Sequence, residues 1–519
     1  MDFRFALKLL PFLLALSCAQ VGQISGGEED LVAPEPVKTV PENKTLFFKE
    51  QSIKLVFDEF VELNNPQQNI IIVPNDAKLK ASLHKKELVL SWEERLKSNT
   101  TYVIYFNGAV KDVTEKNQSL FSYVFSTGAQ IDTLQQEILL RDALNGQAIS
   151  DATVGFYAHK DSLKPIYFSS SDGSGKASMN YMKQGEYYVK AFKDDNKNLI
   201  ADKNELVGFL TDLVKIQTDN KDTLTIHMFQ PEIEQSIVTV ELQSPGSFLV
   251  STSNAAFNPL FDINDKALDS IRVRKIDDKL FKLFPVQLGA GDYKILLYEK
   301  ENQDSSTVRT SEKDWSMPLK ITSASKDEII VPGETISLSV NAFLKTIDTS
   351  KISIYDEKDT VNPIKYTIQF AQDMLQLLPS EGLSGAFVVT LLPGALTTEE
   401  GAFSEAFSKS YRFKSIEELG IIHVSTSGFI GGLILELMKD KGVVDEKHLF
   451  AGNKATFENL VPGEYQLRII EDGNGNGKWD SGNEILGIQP EKVFLFTKPT
   501  KVRPNWEYNL KINPSGNYE

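Results

Sequence analysis

Ser52-Ile53-Lys54-Leu55-Val56-Phe57 runs polar and apolar in near-regular alternation. Successive side chains of a strand point to opposite faces, so Ile53, Leu55 and Phe57 share one face and need a core beneath it. Thr101 to Phe106 reads the same way. Phe121-Ser122-Tyr123-Val124-Phe125 closes the block, and Ser126-Thr127-Gly128 ends it with turn chemistry. Short strands broken by Asn, Pro, Gly and Lys-rich turns continue along the chain, and no long segment carries a convincing 3.6-residue period. The pattern predicts an all-β chain of tandem β-sandwich modules. Residues 369–376 read equally as a short helix or a strand.

The chain has 519 residues, enough for about four or five modules of roughly 100–150 residues. With 41% hydrophobic and 24% charged residues it has ordinary globular composition, which argues against a disordered or fibrous chain. The 31 Phe and 16 Tyr suit pleated surfaces. The formal charge of −16, with no basic cluster, excludes a nucleic-acid binder, which needs a basic face to displace phosphate counterions. It favours divalent cations and argues against anionic headgroups as ligands of the folded body. Cys18 is the single cysteine, so disulfides and paired-thiolate metal sites are out, and the cores alone must hold the fold.

The first 17 residues, MDFRFALKLLPFLLALS, have a short positive start at Arg4 and Lys8 and an apolar run, Leu9 to Leu16, too short to span a bilayer. Small Ser17 then precedes Cys18. This is the layout of a signal peptide, 1–17. Ala15-Leu16-Ser17-Cys18 resembles a bacterial lipobox, with Leu two residues before Cys instead of three. The resemblance implies cleavage before Cys18, then a thioether diacylglycerol and an N-acyl chain. Three chains at ~0.8 kcal/mol per buried methylene make a firm anchor. The alternative is an ordinary signal peptide with an incidental cysteine. Residues 18–38 read as a polar tether, stiffened by prolines at 34, 36 and 41 around its end. Within it Ser25-Gly26-Gly27-Glu28-Glu29-Asp30 resembles the acidic export tag of Bacteroidetes-type surface lipoproteins, and reads nearly as well as a plain solvated linker.

The chain repeats itself twice. Ile53, Leu55, Phe57 and Phe60 match Ile336, Leu338, Val340 and Phe343 at one constant offset, all at core-like positions. Gly108-Ala109-Val110 matches Gly394-Ala395-Leu396, and Tyr123 and Phe125 match Tyr411 and Phe413. A second pair is marked by Gly185-Glu186-Tyr187 and Gly463-Glu464-Tyr465, each leading into an apolar strand and an acidic, Asn-rich loop. The expected modules are therefore 39–128, 129–230, 231–329, 330–415 and 416–519. The block 231–329 is strand-rich and shows no copy. Modules in series predict an elongated particle.

On these residues the blocks 39–128 and 330–415 resemble the bacterial Ig-like domain of the surface-layer type, through Lys54-Leu55-Val56-Phe57-Asp58-Glu59-Phe60 and the closing Phe121 to Gly128. The blocks 129–230 and 416–519 resemble carboxypeptidase-regulatory or collagen-adhesin B-type (prealbumin-like) sandwiches. The whole order, lipobox to the segment around Trp506, is similar to Bacteroidetes-type Ig-like lipoproteins. That resemblance implies a fold and an address, with little chemistry.

The five histidines, His84, His159, His227, His423 and His448, stand more than ten residues apart, and no His-Glu-x-x-His motif exists. There is no Gly-x-Ser-x-Gly elbow. Gly477-Lys478 lacks the glycines and the strand-loop-helix context of a P-loop. Acidic pairs are plentiful and none stands out as a glycosidase pair. Trp92, Trp315, Trp479 and Trp506 are scattered and read as core or edge packing before sugar platforms.

One constellation is specific. In Asp472-Gly473-Asn474-Gly475-Asn476-Gly477-Lys478-Trp479-Asp480, oxygen side chains fall at loop positions one, three, five and nine, with glycine at six. An EF-hand-type loop wraps Ca²⁺ with that spacing. The earlier copy is Asp194, Asn196, Asn198, Asp202 and Glu205, with Glu205 at position twelve and Leu199 in place of the glycine. In the later copy Asn483 occupies position twelve and Glu484 the next. The competing reading is a hairpin loop closed by Asx-turns. Together these features predict a non-catalytic cell-envelope lipoprotein, anchored at the outer membrane on its periplasmic or surface face, that binds or scaffolds an envelope protein or a glycan, with Ca²⁺ as the one candidate cofactor. The alternatives are an accessory subunit of an uptake or secretion machine and, further off, a glycan-acting enzyme.

Overall fold

The computed structural model describes residues 30–514, except 219–221, 232–234, 244–246, 254–258, 265–270, 278, 286–288, 300–301, 313–318, 325–327, 372, 380–384, 399–403 and 451. Cys18, the signal peptide, most of the tether and Trp315 lie outside the described residues. Nearly all regular structure among the described residues is β-strand, and Pro66–Asn69 forms a single α-helical turn. Among these residues no helix is long and apolar enough to cross a membrane.

Buried apolar side chains gather into five main cores that follow one another along the chain. The first lies between the sheet Pro36–Val40, Ser52–Phe57, Glu87–Ser91, Lys80–His84 and a second sheet built around the long strand Thr101–Asp112. Ile53, Leu55 and Phe57 point into it, as the alternation requires. The fourth core repeats the plan. Ile336–Val340 sits second in its sheet, as Ser52–Phe57 does, and Phe407–Phe413 pairs Gly385–Leu391 as Gln118–Ser126 pairs Thr101–Asp112. Gly108 and Gly394 both take the left-handed backbone, φ 68° and 75°, which lets the next two residues turn inward; Ala109, Val110, Ala395 and Leu396 are fully buried. One expected core pair fails. Phe60 is 56% exposed, under the Lys86 ammonium, and Phe343 packs at the surface between Phe284 and Arg272. Both residues lie past the last ladder position of their strands, where the strand period no longer aims them.

The second and fifth cores share another plan. Each has a three-stranded sheet with a parallel C-terminal strand: Leu224–Met228 beside Leu134–Asp142, and Glu507–Ile512 beside Gly420–Thr426. Each faces a sheet with Gly185–Phe192 or Gly463–Asp472 in its interior. Tyr187 and Tyr465 donate their hydroxyls to the carbonyls of Lys183 and Val461, four residues upstream, at 2.9 and 2.6 Å. The third core, between Ile237 and Val308, carries the same corner: Gly291-Asp292-Tyr293 opens the strand Gly291–Glu299, and Tyr293 donates to Gly289 at 2.7 Å. The block expected to lack a copy thus shares this local device, while its strand Gly291–Glu299 pairs antiparallel with Asn302–Thr310 up to Glu299 and Asn302. Residues 369–376 resolve as the facing parts of a hairpin, Tyr366–Ala371 and Met374–Pro379, with Leu375 and Leu377 inward.

Side chains join several of the cores. Ile71, Val73 and Tyr105 of the first block pack into the second core. Between the third and fourth cores Lys282, 5% exposed, lies 3.1 Å from the fully buried Asp373. Arg274 Nε approaches the other Asp373 oxygen at 3.0 Å, off the line of its N–H and so as a charge contact. The blocks do not follow one another as an open string. Phe192, Val207, Phe209 and Phe229 of the second block form a sixth cluster with Trp479 of the fifth packed against it. An apolar face on one block is covered by a block about 280 positions further on.

Candidate functional site: the paired Asn-rich loops

Each loop begins where a central strand ends. Gly185–Phe192 delivers Asp194 and Gly463–Asp472 delivers Asp472, and both carboxylates are largely buried. Asp194 accepts the backbone N–H groups of Asn198 and Leu199 at 2.9 and 3.0 Å. Asp472 accepts those of Gly475, Asn476 and Gly477 at 2.7–3.1 Å. Asn196 Oδ1 takes the Asn198 N–H and Asn198 Oδ1 the Ile200 N–H. Asn474 and Asn476 repeat this on Asn476 and Lys478. Short polar side chains favour such Asx-turns over a continued strand. Position six needs a left-handed residue: Gly477 supplies it at φ 75°, and Leu199 adopts it at φ 61° with its side chain packed on the second core.

The amide groups of Asn196 and Asn198 donate to Asp202 Oδ2 at 2.7 and 3.1 Å. Those of Asn474 and Asn476 donate to Asp480 Oδ2. Glu205 closes the first loop by accepting from the backbone of Asp195 and Asp202. In the second loop neither Asn483 nor Glu484 does this. Glu491 does, accepting from Gly473 at 2.7 Å and Asp480 at 3.1 Å. Counting positions missed Glu491 because extra residues intervene. A usable signal was present: Glu205-Leu206-Val207 and Glu491-Lys492-Val493 both lead into a strand, and the Leu206 and Lys492 carbonyls accept from Lys193 and Glu471. Burial pushes the carboxyls of Glu205 and Glu491 above their usual range. Backbone donors oppose that shift, and the neighbouring Asp202 and Asp194, or Asp480 and Asp472, add to it.

The nine residues singled out by spacing, Asp194, Asn196, Asn198, Asp202, Glu205, Asp472, Asn474, Asn476 and Asp480, thus fall into two matching frames. Their donor set is oxygen throughout, as a hard cation requires. Among the described residues no group of three or more His, Cys, Asp or Glu side chains is arranged to hold a metal ion. The Asn amide N–H groups face the Asp202 and Asp480 carboxylates in the direction a cation would take, so an ion would have to displace them.

The structure does not gather the histidines. His423 contacts Thr456 and Glu507, and His448 contacts Glu446. Trp92 is core, Trp479 donates to the Glu491 carbonyl at 3.0 Å, and Trp506 is 53% exposed, stacked on Tyr508 beneath Arg503. A shallow depression beside Leu210, Leu213 and Leu224 is lined, among the described residues, by one carboxylate, Asp212.

No curated protein matches the chain. Among solved structures the chain is similar to the Bacteroides ovatus mixed-linkage glucan utilization locus protein SGBP-B in complex with a mixed-linkage heptasaccharide. Identity is 10%, coverage 64% of this chain and 88% of that one, and the TM-score 0.19. Surface layer protein SbsC, domains 1–6, aligns at 11% identity over 91% of this chain and 67% of that one, TM-score 0.16. At these superposition values neither carries a ligand or a partner across. Residues 30–127, which hold the first core, match the family model of the bacterial Ig-like domain.

Proposed function

We propose that this chain is a non-catalytic cell-envelope lipoprotein, anchored at the outer membrane through Cys18, that acts as a binding or scaffolding body for an envelope protein or a glycan. The observation that carries the reading is how the conspicuous polar residues are used. The carboxylates and amides that sequence spacing singled out close their own loops, and around them stands a body of β-sandwich cores. The bacterial Ig-like match at 30–127 supports it. As part of this proposal the two Asn-rich frames take Ca²⁺ weakly, through Asp194, Asn196, Asn198, Asp202 and Glu205, and through Asp472, Asn474, Asn476, Asp480 and Glu491.

The test is a pull-down from intact cells with the lipidated full chain, beside Cys18→Ser. The native chain should enter the detergent phase on phase separation and bring an envelope protein or glycan with it. Cys18→Ser should stay in the aqueous phase. A mutant that still enters the detergent phase sinks the anchor, and glycan cleavage by the purified chain sinks the non-catalytic reading.

A further inference from the structure

The two Asn-rich loops share a frame and differ in length. Two residues separate Asp202 from Glu205, whereas ten separate Asp480 from Glu491. The added residues make a small turn of their own. Asn483 and Ile488 exchange backbone hydrogen bonds at 2.7 and 2.8 Å, and Asn483 Oδ1 accepts from Leu486. These added residues are also the ones that reach the other copy. Glu484 pairs with Lys190 at 2.6 Å, both largely shielded from solvent. Gln489 donates its amide to the Phe209 carbonyl at 2.8 Å. At Gly482 the backbone lies so close to the Phe229 ring that a β-carbon would sit 2.6 Å from Cζ. Trp479, just ahead of the insertion, packs on the Phe192, Val207, Phe209 and Phe229 cluster.

From this geometry we infer that the insertion is a clasp: it converts the second Asn-rich loop into a docking arm that fastens the fifth core to the second and closes cores two to five into a ring. The first loop, without the insertion, leaves its own block free to be the receiving face. The arm springs from a fixed base, because Asp480 and Glu491, which bracket it, hold each other through two backbone-involving bonds at 3.1 Å. Three contacts of different kind, an ion pair, an amide-to-carbonyl bond and an apolar seat, give the arm one register. Lys190 and Glu484 draw on a charge pair in partial shelter, where it counts for more than at an open surface.

Zero-length carbodiimide coupling joins amines and carboxylates in direct contact, and it can be run on the unaltered full chain. It should yield a Lys190–Glu484 isopeptide in the monomer band. Lys176–Glu137, a 2.7 Å pair on the surface of the second block, is the internal control. Glu484→Gln should abolish the first crosslink and leave the second. If Lys176–Glu137 couples and Lys190–Glu484 does not, the clasp is wrong. If the latter appears only in a dimer band, the arm reaches a second copy and the ring is wrong. Gly482→Val combined with Glu484→Lys changes only the arm; it should enlarge the particle in small-angle scattering with an unchanged far-UV spectrum, and an unchanged scattering radius overturns the inference.

Discussion

Tyr187, Tyr293 and Tyr465 show what a single side chain contributes. Each hydroxyl ties the start of a central strand to the carbonyl four residues upstream, and the Tyr187 and Tyr293 rings also lie against the glycine two residues before them. Losing one such buried hydrogen bond costs about 1 kcal/mol. Tyr465→Phe should therefore speed hydrogen exchange along Gly463–Asp472 about fivefold, leaving exchange in the first core unchanged; equal exchange in the strand would assign the corner no stability. The two Gly-Glu-Tyr copies are visible as text. Gly291-Asp292-Tyr293 is the same device with one acid exchanged, and matching by identity passed over it. Lys282 illustrates the opposite case, a residue whose role no local pattern encodes. It is a lysine in an ordinary alternating strand, buried because Asp373 from the next block arrives to meet it. Burial pulls its ammonium below the usual lysine range, and Asp373 offsets part of that. Lys282→Met leaves Asp373 with Arg274 alone. Removing one partner of a buried pair costs about 3–5 kcal/mol, and the retained arginine argues for the lower end. The cost should appear as earlier melting of the third and fourth cores, and a variant that melts like the native chain would show Arg274 to be sufficient.

At the scale of elements, alternation made the strands legible, since period two needs only side-chain identity. Ends were less so: Phe60 shares the repeat offset of its strand neighbours but falls three residues after Phe57, out of phase and beyond the last ladder pair. The loop frames were legible in their first nine positions because Asx-turns fix side chain to backbone over two to five residues. The closing Glu491 was not, because a closing ligand needs only to be near in space and the chain can insert a turn before reaching it. Extracellular sites bind at about 10⁻⁴–10⁻³ M, so millimolar Ca²⁺ should stabilise the native fold by about 0.4–1.4 kcal/mol per site. Melts of the soluble chain in EDTA and in millimolar Ca²⁺ should differ accordingly, and Asp194→Ala with Asp472→Ala should erase the difference. Superimposable melts of the native chain, with no calorimetric heat of binding, would leave the frames as hydrogen-bonded loops.

For the whole molecule, the succession of sandwich blocks is written in the repeats, and its closure is not. Strand period and turn chemistry act over a few residues. The seat for the arm is assembled from Lys190, Phe209 and Phe229, three residues from separate strands or strand ends, facing a segment far along the chain. Each taken alone reads as an ordinary strand residue. Shape is the property that follows. Five domains of ~100 residues, each with a radius of gyration of ~13 Å, would reach roughly 150–170 Å if laid end to end. A chain whose fifth core returns to its second must be markedly shorter, with the first block projecting from the ring through Ile71, Val73 and Tyr105. Small-angle scattering of the soluble chain should therefore give a maximum dimension well under the end-to-end figure, and the pair-distance distribution should be broad and single-peaked. A long tail reaching the end-to-end value would mean that the clasp opens in solution. Under the proposed anchoring through Cys18, the ring sits beyond the first core, which comes next after the tether in the chain. The body would then present cores two to five to a partner as one rigid surface, and a partner contacting two of them would bind with their spacing already fixed.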